Sequence, residues 1–177
     1  MSYLIISDIH GCTNNLNIAL ASPHDFQQII FLGDYMYHGP RNPILPDYNP
    51  SEVASILNKL DSPIAVRGNC DSEVDQMLLD FDMFDDYKLI NDYNKSIFIT
   101  HGHIYDPSHD ASKLEHDIFI SGHTHLPRIE QMDFGIILNP GSISMPKGGH
   151  PATYAILDEN AITIYTTDHE IYMQFNI

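Results

Sequence analysis

The chain has 177 residues, of which 43% are hydrophobic, 18% charged and 10% aromatic, a composition that fits one globular domain over residues 1–177 and excludes disordered and fibrous classes. Its formal net charge is −16 with only 8 basic residues, so binding to nucleic-acid polymers or to anionic membrane surfaces is disfavoured. The sequence contains no apolar stretch near the roughly 20 residues that a membrane helix needs.

The N-terminal residues and the cysteines favour a cytoplasmic protein. The apolar run at 3–7 is short, follows no Lys or Arg, and is interrupted at once by Asp8 and His10, which is unlike a secretory signal peptide. Because cytoplasmic thiols are usually kept reduced, we expect Cys12 and Cys70 to be unpaired.

The first half of the chain predicts alternating strands and helices. Short apolar runs that end abruptly predict strands at 3–7, 29–32 and 64–66. Thr13 and Asn49 are predicted helix caps, the second followed by Pro at the first helical position. A third helix is predicted over 71–79, with Met77 and Leu78 on its apolar side.

The second half predicts mostly β-structure. The predicted strands are 87–90, 96–100, 118–121, 128–132, 136–139, 153–157, 162–166 and 171–175. A βαβαβα half followed by a β-rich half predicts an α/β (mixed α+β) fold of two stacked sheets with helices outside.

Five predicted strand ends carry side chains that bind metal ions. The segments are Asp8-Ile9-His10, Gly33-Asp34, Gly68-Asn69-Cys70-Asp71, His101-Gly102-His103 and Gly122-His123-Thr124-His125. The carboxyl ends of strands in α/β sheets converge on one crevice, so these donors are expected to meet. Carboxylates, an amide and imidazoles suit Mn, Fe, Zn or Mg. Seven donors exceed the four that one zinc takes, which favours two ions about 4 Å apart sharing one carboxylate.

In this order the motifs resemble the signature of calcineurin-like metallophosphoesterases, and in particular of the small bacterial YfcE-type phosphodiesterases. The resemblance extends through residues 38–42, 66–71, 72–77 and 139–142, and so covers the chain from Leu4 to about Tyr154. It implies a four-layer αββα sandwich of two mixed sheets. It also implies two divalent metal ions per chain, Mn²⁺ in the first place and otherwise Fe, Zn, Ni or Mg.

The resemblance assigns a ligand set to each ion. The implied ligands are Asp8, His10, Asp34 and His125 for one ion, and Asp34, Asn69, His101 and His123 for the other. Asp34 would bridge the two, which agrees with the ability of an anionic carboxylate to face two cations at short range.

The general acid is where this sequence departs from the family pattern. Many relatives have His where this chain has Cys70, so Cys70 and the Asp71 that follows it are the candidate catalytic residues of this motif. A thiol with an ordinary pKa near 8.5 is a poorer acid at neutral pH than an imidazole near 6.5. His38 or His103 would substitute as the proton donor, although His103 also fits a structural role.

Substrate contacts are predicted on the loop at 35–49. Arg41 and Asn42 either meet a substrate phosphate or simply form a Gly-Pro-Arg-Asn turn. Residues 139–142 are interpreted as a structural turn beneath the site.

We therefore predict a hydrolase that cleaves small phosphodiesters through a dinuclear metal centre and a metal-bridging hydroxide. A phosphomonoesterase or nucleotidase is the alternative, which the scarcity of basic residues disfavours. A non-catalytic scaffold of the same fold is disfavoured by the complete ligand set. The acidic segment 71–92, interleaved with apolar residues, is either a solvated helix end or a self-association surface, so a dimer or tetramer is left open.

Overall fold

Strands dominate the computed structural model, which describes residues 1–110 and 116–177. The strands are β1 Tyr3–Ile6, β2 Gln28–Phe31, β3 Ile64–Ala65, β4 Tyr87–Asp92, β5 Lys95–Thr100, β6 Ile118–Ile120, β7 Arg128–Met132, β8 Gly135–Asn139, β9 Thr153–Leu157, β10 Ala161–Thr166 and β11 Ile171–Asn176. They form a six-stranded sheet in the order β11-β10-β9-β1-β2-β3 and a five-stranded sheet in the order β4-β5-β6-β8-β7. The predicted strands are confirmed with small shifts at their ends.

Both sheets are mixed. β1, β2 and β3 run parallel, as the βαβαβ pattern requires, and β9 joins β1 antiparallel. In the second sheet β5, β6 and β8 are parallel. β4 and β5 form a hairpin whose turn residues Tyr93 and Asn94 have positive φ of 54° and 57°, the backbone that a two-residue hairpin favours.

The main hydrophobic core lies between the two sheets. Isoleucines such as Ile5 and Ile30 from the first sheet meet Ile99 and Ile120 from the second, and all four are fully buried. Parallel strands that are covered on both faces appear as continuous apolar runs, which is why these segments were recognisable in the sequence. This core holds the carboxyl ends of the parallel strands side by side at one edge.

Two helices cover the outer face of the first sheet. They are α1 Asn14–Leu20 and α2 Pro50–Leu57. Leu16 of α1 and Leu57 of α2 are fully buried against Phe31 and other residues of this sheet. The predicted cap at Asn49 is confirmed, since its side chain accepts the Glu52 N–H at 3.3 Å.

The third predicted helix is shorter than expected. The helix α3 spans only Glu73–Gln76, and the prediction that it continues to residue 79 is wrong. The Asn58 amide donates to the Leu78 carbonyl at 2.8 Å and accepts the N–H of residue 80 at 2.9 Å, which draws the chain away from the helical path. The side chain predicted to lie on its apolar side, Met77, is 83% exposed.

Aromatic side chains pack on the outer face of the second sheet. Tyr105 and Phe134 lie against Phe98 and Phe119 there. The neighbouring residues 111–115 lie outside the described part of the chain. Within the described ranges, no helix has the length and apolar character to cross a membrane.

Candidate metal centre

Left-handed backbone conformations are concentrated at the strand ends. The residues are Asp8, His10, Asp34, His123 and His125, with φ between 48° and 65°. Such conformations cost about 1–3 kcal/mol each for residues other than glycine, and they persist only where the surrounding structure enforces them. Five of the seven predicted ligands therefore sit on strained turns that direct their side chains toward one place.

Two glycines allow the loops that carry these ligands to approach one another. A Cβ on Gly68 would lie 2.1 Å from Asp34 Oδ1, and a Cβ on Gly122 would lie 1.9 Å from Ser7 Oγ. Both distances are far below van der Waals contact, so only glycine fits at these positions. The Gly-Asn and Gly-His pairs of the sequence motifs are therefore required by close packing.

Asp8, His10 and His125 form the first group of donors. The Nε2 atom of His125 lies 3.3 Å from Asp8 Oδ1 and 3.4 Å from His10 Nε2. Asp8 Oδ1 is buried and has no hydrogen-bond partner in the described structure, whereas Oδ2 accepts the Ser7 hydroxyl at 2.6 Å. An orphaned buried carboxylate oxygen beside two imidazole nitrogens is the environment that a divalent cation would complete.

Asp34 joins this group to a second one. Its Oδ2 atom lies 3.7 Å from His10 Nε2 and 3.5 Å from His101 Nε2. On the other side, His101 Nε2 lies 3.1 Å from Asn69 Oδ1. Asp34 therefore occupies the central position that a bridging ligand needs.

The imidazole rings of three predicted ligands are held in one tautomer. The Nδ1–H groups of His10, His101 and His125 donate to the backbone carbonyls of Tyr37, Leu32 and Met145 at 2.8, 2.6 and 2.5 Å. Each Nε2 is then an unprotonated acceptor that faces the cluster, the orientation that backbone carbonyls give to metal-bound histidines. Two such acceptors 3.4 Å apart, on His10 and His125, repel each other unless a cation lies between them.

His123 lies beside the cluster but farther from it. Its ring centre is 5.1 Å from that of His101, and its backbone N–H donates to Asp8 Oδ2 at 3.2 Å. Among the described residues, several groups of three side chains have donor atoms that all lie within 4.8 Å of one another. All the predicted His and Asp ligands except His123 belong to at least one of these groups. The structure thus brings together six of the seven predicted ligands and leaves the His123 ring at the rim.

Burial sets the protonation states of these groups in the metal-free protein. Burial lowers the pKa of His101 to about 4. It also lowers the pKa of His123 and of His125, and the positive charge of Lys147 lowers both further. Burial and the neighbouring Asp34 carboxylate raise the pKa of Asp8 to about 7. Burial opposes ionisation of Asp34 too, but the adjacent His101 and the Cys70 N–H bring its pKa below the usual value. Neutral imidazoles around one firmly ionised carboxylate suit a cation.

The Asp71 carboxylate is hydrogen-bonded to the backbone of the loops beside Asp34. Its carboxylate accepts the N–H groups of Asp34, Tyr35 and Gly68 at 2.7–2.8 Å. Burial, followed by the charge of Asp34, raises its pKa to about 7. The structure therefore shows Asp71 organising the loop that carries Asp34.

The remaining predicted residues divide between the cavity and its surroundings. Arg41, Asn42 and Cys70 line the open cavity above the donor cluster. His103 is half-buried with its ring centre 5.2 Å from that of His101, and His38 packs against Tyr37 and Tyr48. Neither of these two histidines is among the residues that line the cavity.

Both cysteines are free thiols, as expected. Burial, with a further contribution from the Asp34 carboxylate, raises the pKa of Cys70 to about 12. The thiol of Cys70 is therefore protonated at neutral pH in the metal-free protein.

The sequence analysis gave no role to two residues of the site, Ser142 and Lys147. The Ser142 hydroxyl donates to the Asp8 carbonyl at 2.9 Å and accepts the Met145 N–H at 2.8 Å, which fastens the 142–147 loop to a predicted ligand. Lys147 lines the same cavity as Arg41. The expected turn at 139–142 pointed to Ser142, but no signal in the sequence placed Lys147 near the metal ligands.

Comparison with known proteins agrees with this geometry. The family described as the calcineurin-like phosphoesterase superfamily domain matches residues 1–161. The phosphodiesterase YfcE of Escherichia coli K12 is 41% identical over 93% of this chain and 91% of its own length. The probable metallophosphoesterase YsnB of Bacillus subtilis is 29% identical, covering 93% of this chain and 89% of its own length.

Solved structures give the same relationship. The structure of the E. coli YfcE phosphoesterase superposes with a TM-score of 0.92 at 38% identity and covers all of both chains. Vps29 from Entamoeba histolytica, solved with zinc, has a TM-score of 0.68 at 21% identity over 99% of each chain, a likeness of fold alone. The predicted fold and the predicted class of phosphoric ester hydrolase are confirmed: the chain belongs to the calcineurin-like phosphoesterase superfamily.

Proposed function

We propose that this protein hydrolyses small phosphodiesters at a dinuclear divalent-metal centre. One observation carries the proposal. The Asp34 carboxylate lies between the Nε2 atoms of His10 and His101, at 3.7 and 3.5 Å, and lines an open cavity. The E. coli relative is named a phosphodiesterase, which supports the diester as substrate.

The proposed ligand sets are those that the family resemblance implied. One ion would be held by Asp8, His10, Asp34 and His125, and the other by Asp34, Asn69, His101 and His123. Bound divalent ions would supply Lewis acidity, which activates water for attack on phosphorus, and would neutralise phosphoryl charge. Mn²⁺ is the proposed ion, since nitrogen and oxygen donors without thiolate in the main positions suit it.

The chain's own residues position the substrate and the ligands. Arg41 and Asn42 line the cavity and are proposed to contact the phosphate. Asp71 and Ser142 are proposed to act through the ligands, because they bond to the backbone of Asp34 and Asp8 rather than open into the cavity. We place the protein in the cytoplasm, which the two free thiols support.

Departure of the leaving group is proposed to lack a strong acid. Cys70 lines the cavity, but its raised pKa makes the thiol a weak proton donor at neutral pH. Alkyl diesters, whose alkoxide needs a proton, should therefore react much more slowly than aryl diesters. We expect Cys70→His to raise alkyl diester turnover selectively, since general acid catalysis is typically worth about 10²–10⁴-fold. A flat dependence on leaving-group pKa, unchanged in Cys70→His, would show that another donor already serves, and the candidates are His38 and His103.

The proposed function is tested with bis(p-nitrophenyl) phosphate in the presence of Mn²⁺. We expect turnover that is abolished by a chelator and restored by added Mn²⁺. The substitution His169→Ala, at a histidine that hydrogen-bonds Tyr154 and lies in none of the donor groups, is the matched control and should retain turnover. Metal-loaded protein that binds two ions but cleaves no diester would contradict the proposal.

One observation keeps the phosphomonoesterase alternative in the test. Two cations, Arg41 and Lys147, line the cavity, so the scarcity of basic residues disfavours a dianionic monoester less than the composition suggests. The comparison is the ratio of kcat/KM for bis(p-nitrophenyl) phosphate to that for p-nitrophenyl phosphate. We expect a ratio above one, and a ratio well below one would favour the monoester.

A further inference from the structure

Two cations that take part in no ion pair line the cavity above the predicted metal ligands. Of the described cations, Arg67, Lys88 and Arg128 form ion pairs with Asp86, Asp85 and Glu130. Within residues 1–110 and 116–177, four others form no such pair, although the formal net charge is −16: Arg41, Lys59, Lys95 and Lys147. Of these four, Arg41 and Lys147 line the cavity. Two unneutralised cations in one cavity of so acidic a protein call for an anionic occupant.

These two cations approach the cavity from different loops. Arg41 belongs to the loop near Cys70, since a Cβ on Gly39 would lie 3.8 Å from Cys70 Sγ and 3.1 Å from Asn42 Nδ2. Lys147 belongs to the loop on the His125 side, where its backbone N–H donates to the His125 carbonyl at 3.3 Å. The two cations are therefore carried by separate loops, one anchored near Cys70 and the other at His125.

The loop that carries Lys147 is fixed to the metal ligands. The carbonyl of Met145 accepts the His125 Nδ1–H at 2.5 Å, and the Met145 N–H donates to the Ser142 hydroxyl, which itself donates to the Asp8 carbonyl. These bonds fix the backbone at Met145, and the bond from the Lys147 N–H to the His125 carbonyl fixes it at Lys147. The side chain of Lys147 is exposed and free to reach a group outside the reacting centre.

The reacting phosphate does not need both cations. A phosphodiester group carries one negative charge, whereas two divalent ions would supply four positive charges beside it. Arg41 lies on the loop that passes near Cys70, and it is the residue proposed above to contact the scissile phosphate. A second cation on the His125 side therefore has an anionic group to bind elsewhere on the substrate.

We propose that Lys147 is a specificity-determining residue that binds a second anionic group, such as a phosphate, on one arm of the phosphodiester. The inference rests on the proposed function and narrows its substrate class to diesters that carry an additional negative charge. Lys147 binds that substituent of the diester and takes no part in bond cleavage, so its substitution should change mainly KM.

The test uses two reporters that differ only in the additional phosphate. They are thymidine 5′-(p-nitrophenyl phosphate) and the same diester with a 3′-phosphate, and both release p-nitrophenolate. The readout is the ratio of kcat/KM for the 3′-phosphorylated reporter to that for the other. We expect Lys147→Ala to lower this ratio about two- to fivefold, as for an exposed ion pair, and Lys147→Glu to lower it further through like-charge repulsion.

Two further variants separate charge from folding. Lys147→Arg keeps the charge and should retain most of the ratio. Lys59→Ala removes another exposed lysine, at the end of α2, and should leave the ratio unchanged. A third reporter, p-nitrophenyl phosphorylcholine, carries a cation on its arm and should become a better substrate in Lys147→Glu.

The outcomes distinguish this inference from the proposed function. If wild-type protein cleaves both thymidine reporters with Mn²⁺ and Lys147→Ala leaves the ratio unchanged, the inference is overturned and the proposed function stands. An equal loss on both reporters likewise overturns it, since Lys147 would then serve the scissile phosphate. If wild-type protein cleaves neither of them nor bis(p-nitrophenyl) phosphate, the proposed function fails first.

Discussion

Two histidine-rich regions of this molecule look alike in composition and differ in chemistry. One is the proposed metal centre. The other, here called the distal histidine cluster, consists of Ser22, His24, Tyr154, Tyr165 and His169. Its His24 ring stacks on Tyr165 with centroids 3.9 Å apart, and its His169 Nδ1 lies 2.8 Å from the Tyr154 hydroxyl. Among the described residues, neither of these histidines joins a group of three metal-ligand atoms.

The difference lies in what surrounds each ring rather than in the backbone. His169 has a positive φ of 63°, as His123 and His125 do, so a strained turn alone does not make a ligand. In the proposed metal centre, the Nδ1–H of His125 donates a hydrogen bond to the Met145 carbonyl, and its Nε2 faces Asp8. In the distal histidine cluster, His169 Nδ1 is paired with the Tyr154 hydroxyl and the His24 ring stacks on Tyr165. His24 Nε2 is buried without a hydrogen-bond partner, but it belongs to no group of three donor atoms in the described part of the chain.

The largest expected effect comes from the carboxylate at the centre of the metal site. Asp34→Asn keeps the size of the side chain but removes the negative charge between His10 and His101. We expect nearly complete loss of phosphodiesterase activity, because an amide is a poor bridge between two cations. Steady-state rates with saturating Mn²⁺ measure this, and circular dichroism checks that the variant is folded. Activity within tenfold of wild type would contradict the bridging role.

The next effect concerns a residue that does not face the cavity. Ser142→Ala removes the hydroxyl that links the Asp8 carbonyl to the 145–147 loop. We expect Mn²⁺ affinity to fall about 10–100-fold, the usual result of removing a group that orients metal ligands. The affinity is measured by isothermal titration calorimetry on metal-free protein. Ser108→Ala, at an exposed serine of the 101–110 segment, is the control and should bind Mn²⁺ as wild type does.

The pH dependence of metal binding follows from Asp8. Burial and Asp34 raise its pKa to about 7, so below that pH a proton competes with the metal for the carboxylate. We expect Mn²⁺ affinity to fall about tenfold for each pH unit below 7, and to change little between pH 7.5 and 8.5. An affinity independent of pH between 5.5 and 7 would show that Asp8 is already ionised in the metal-free protein.

The smallest effect on activity is expected in the distal histidine cluster. His24→Ala removes a ring stacked on Tyr165, which should lower the free energy of unfolding by about 1 kcal/mol. Mn²⁺ stoichiometry and kcat should stay at wild-type values. Chemical denaturation and metal analysis measure both, and loss of a bound ion in this variant would show that the two regions are not independent.

The sequence predicted which side chains the fold brings together at the candidate metal centre, because ligand chemistry and position coincide there. Apolar runs marked the buried strands, and the polar residues directly after them marked the edge where parallel strands converge, so Asp8, Asp34 and His101 were identifiable. Three features were not predictable in this way. The length of α3 depends on Asn58, 15 residues before it, and the positions of Ser142 and Lys147 depend on a loop that only the folded chain brings to His125.

The central claim is tested most directly by counting the divalent ions that each chain binds. Metal-free protein is dialysed against Mn²⁺ at pH 8, where Asp8 is ionised, and the bound metal is determined by elemental analysis together with the diesterase rate. The account predicts two ions per chain in wild type, and activity that requires the second. One bound ion with full activity would contradict the dinuclear centre.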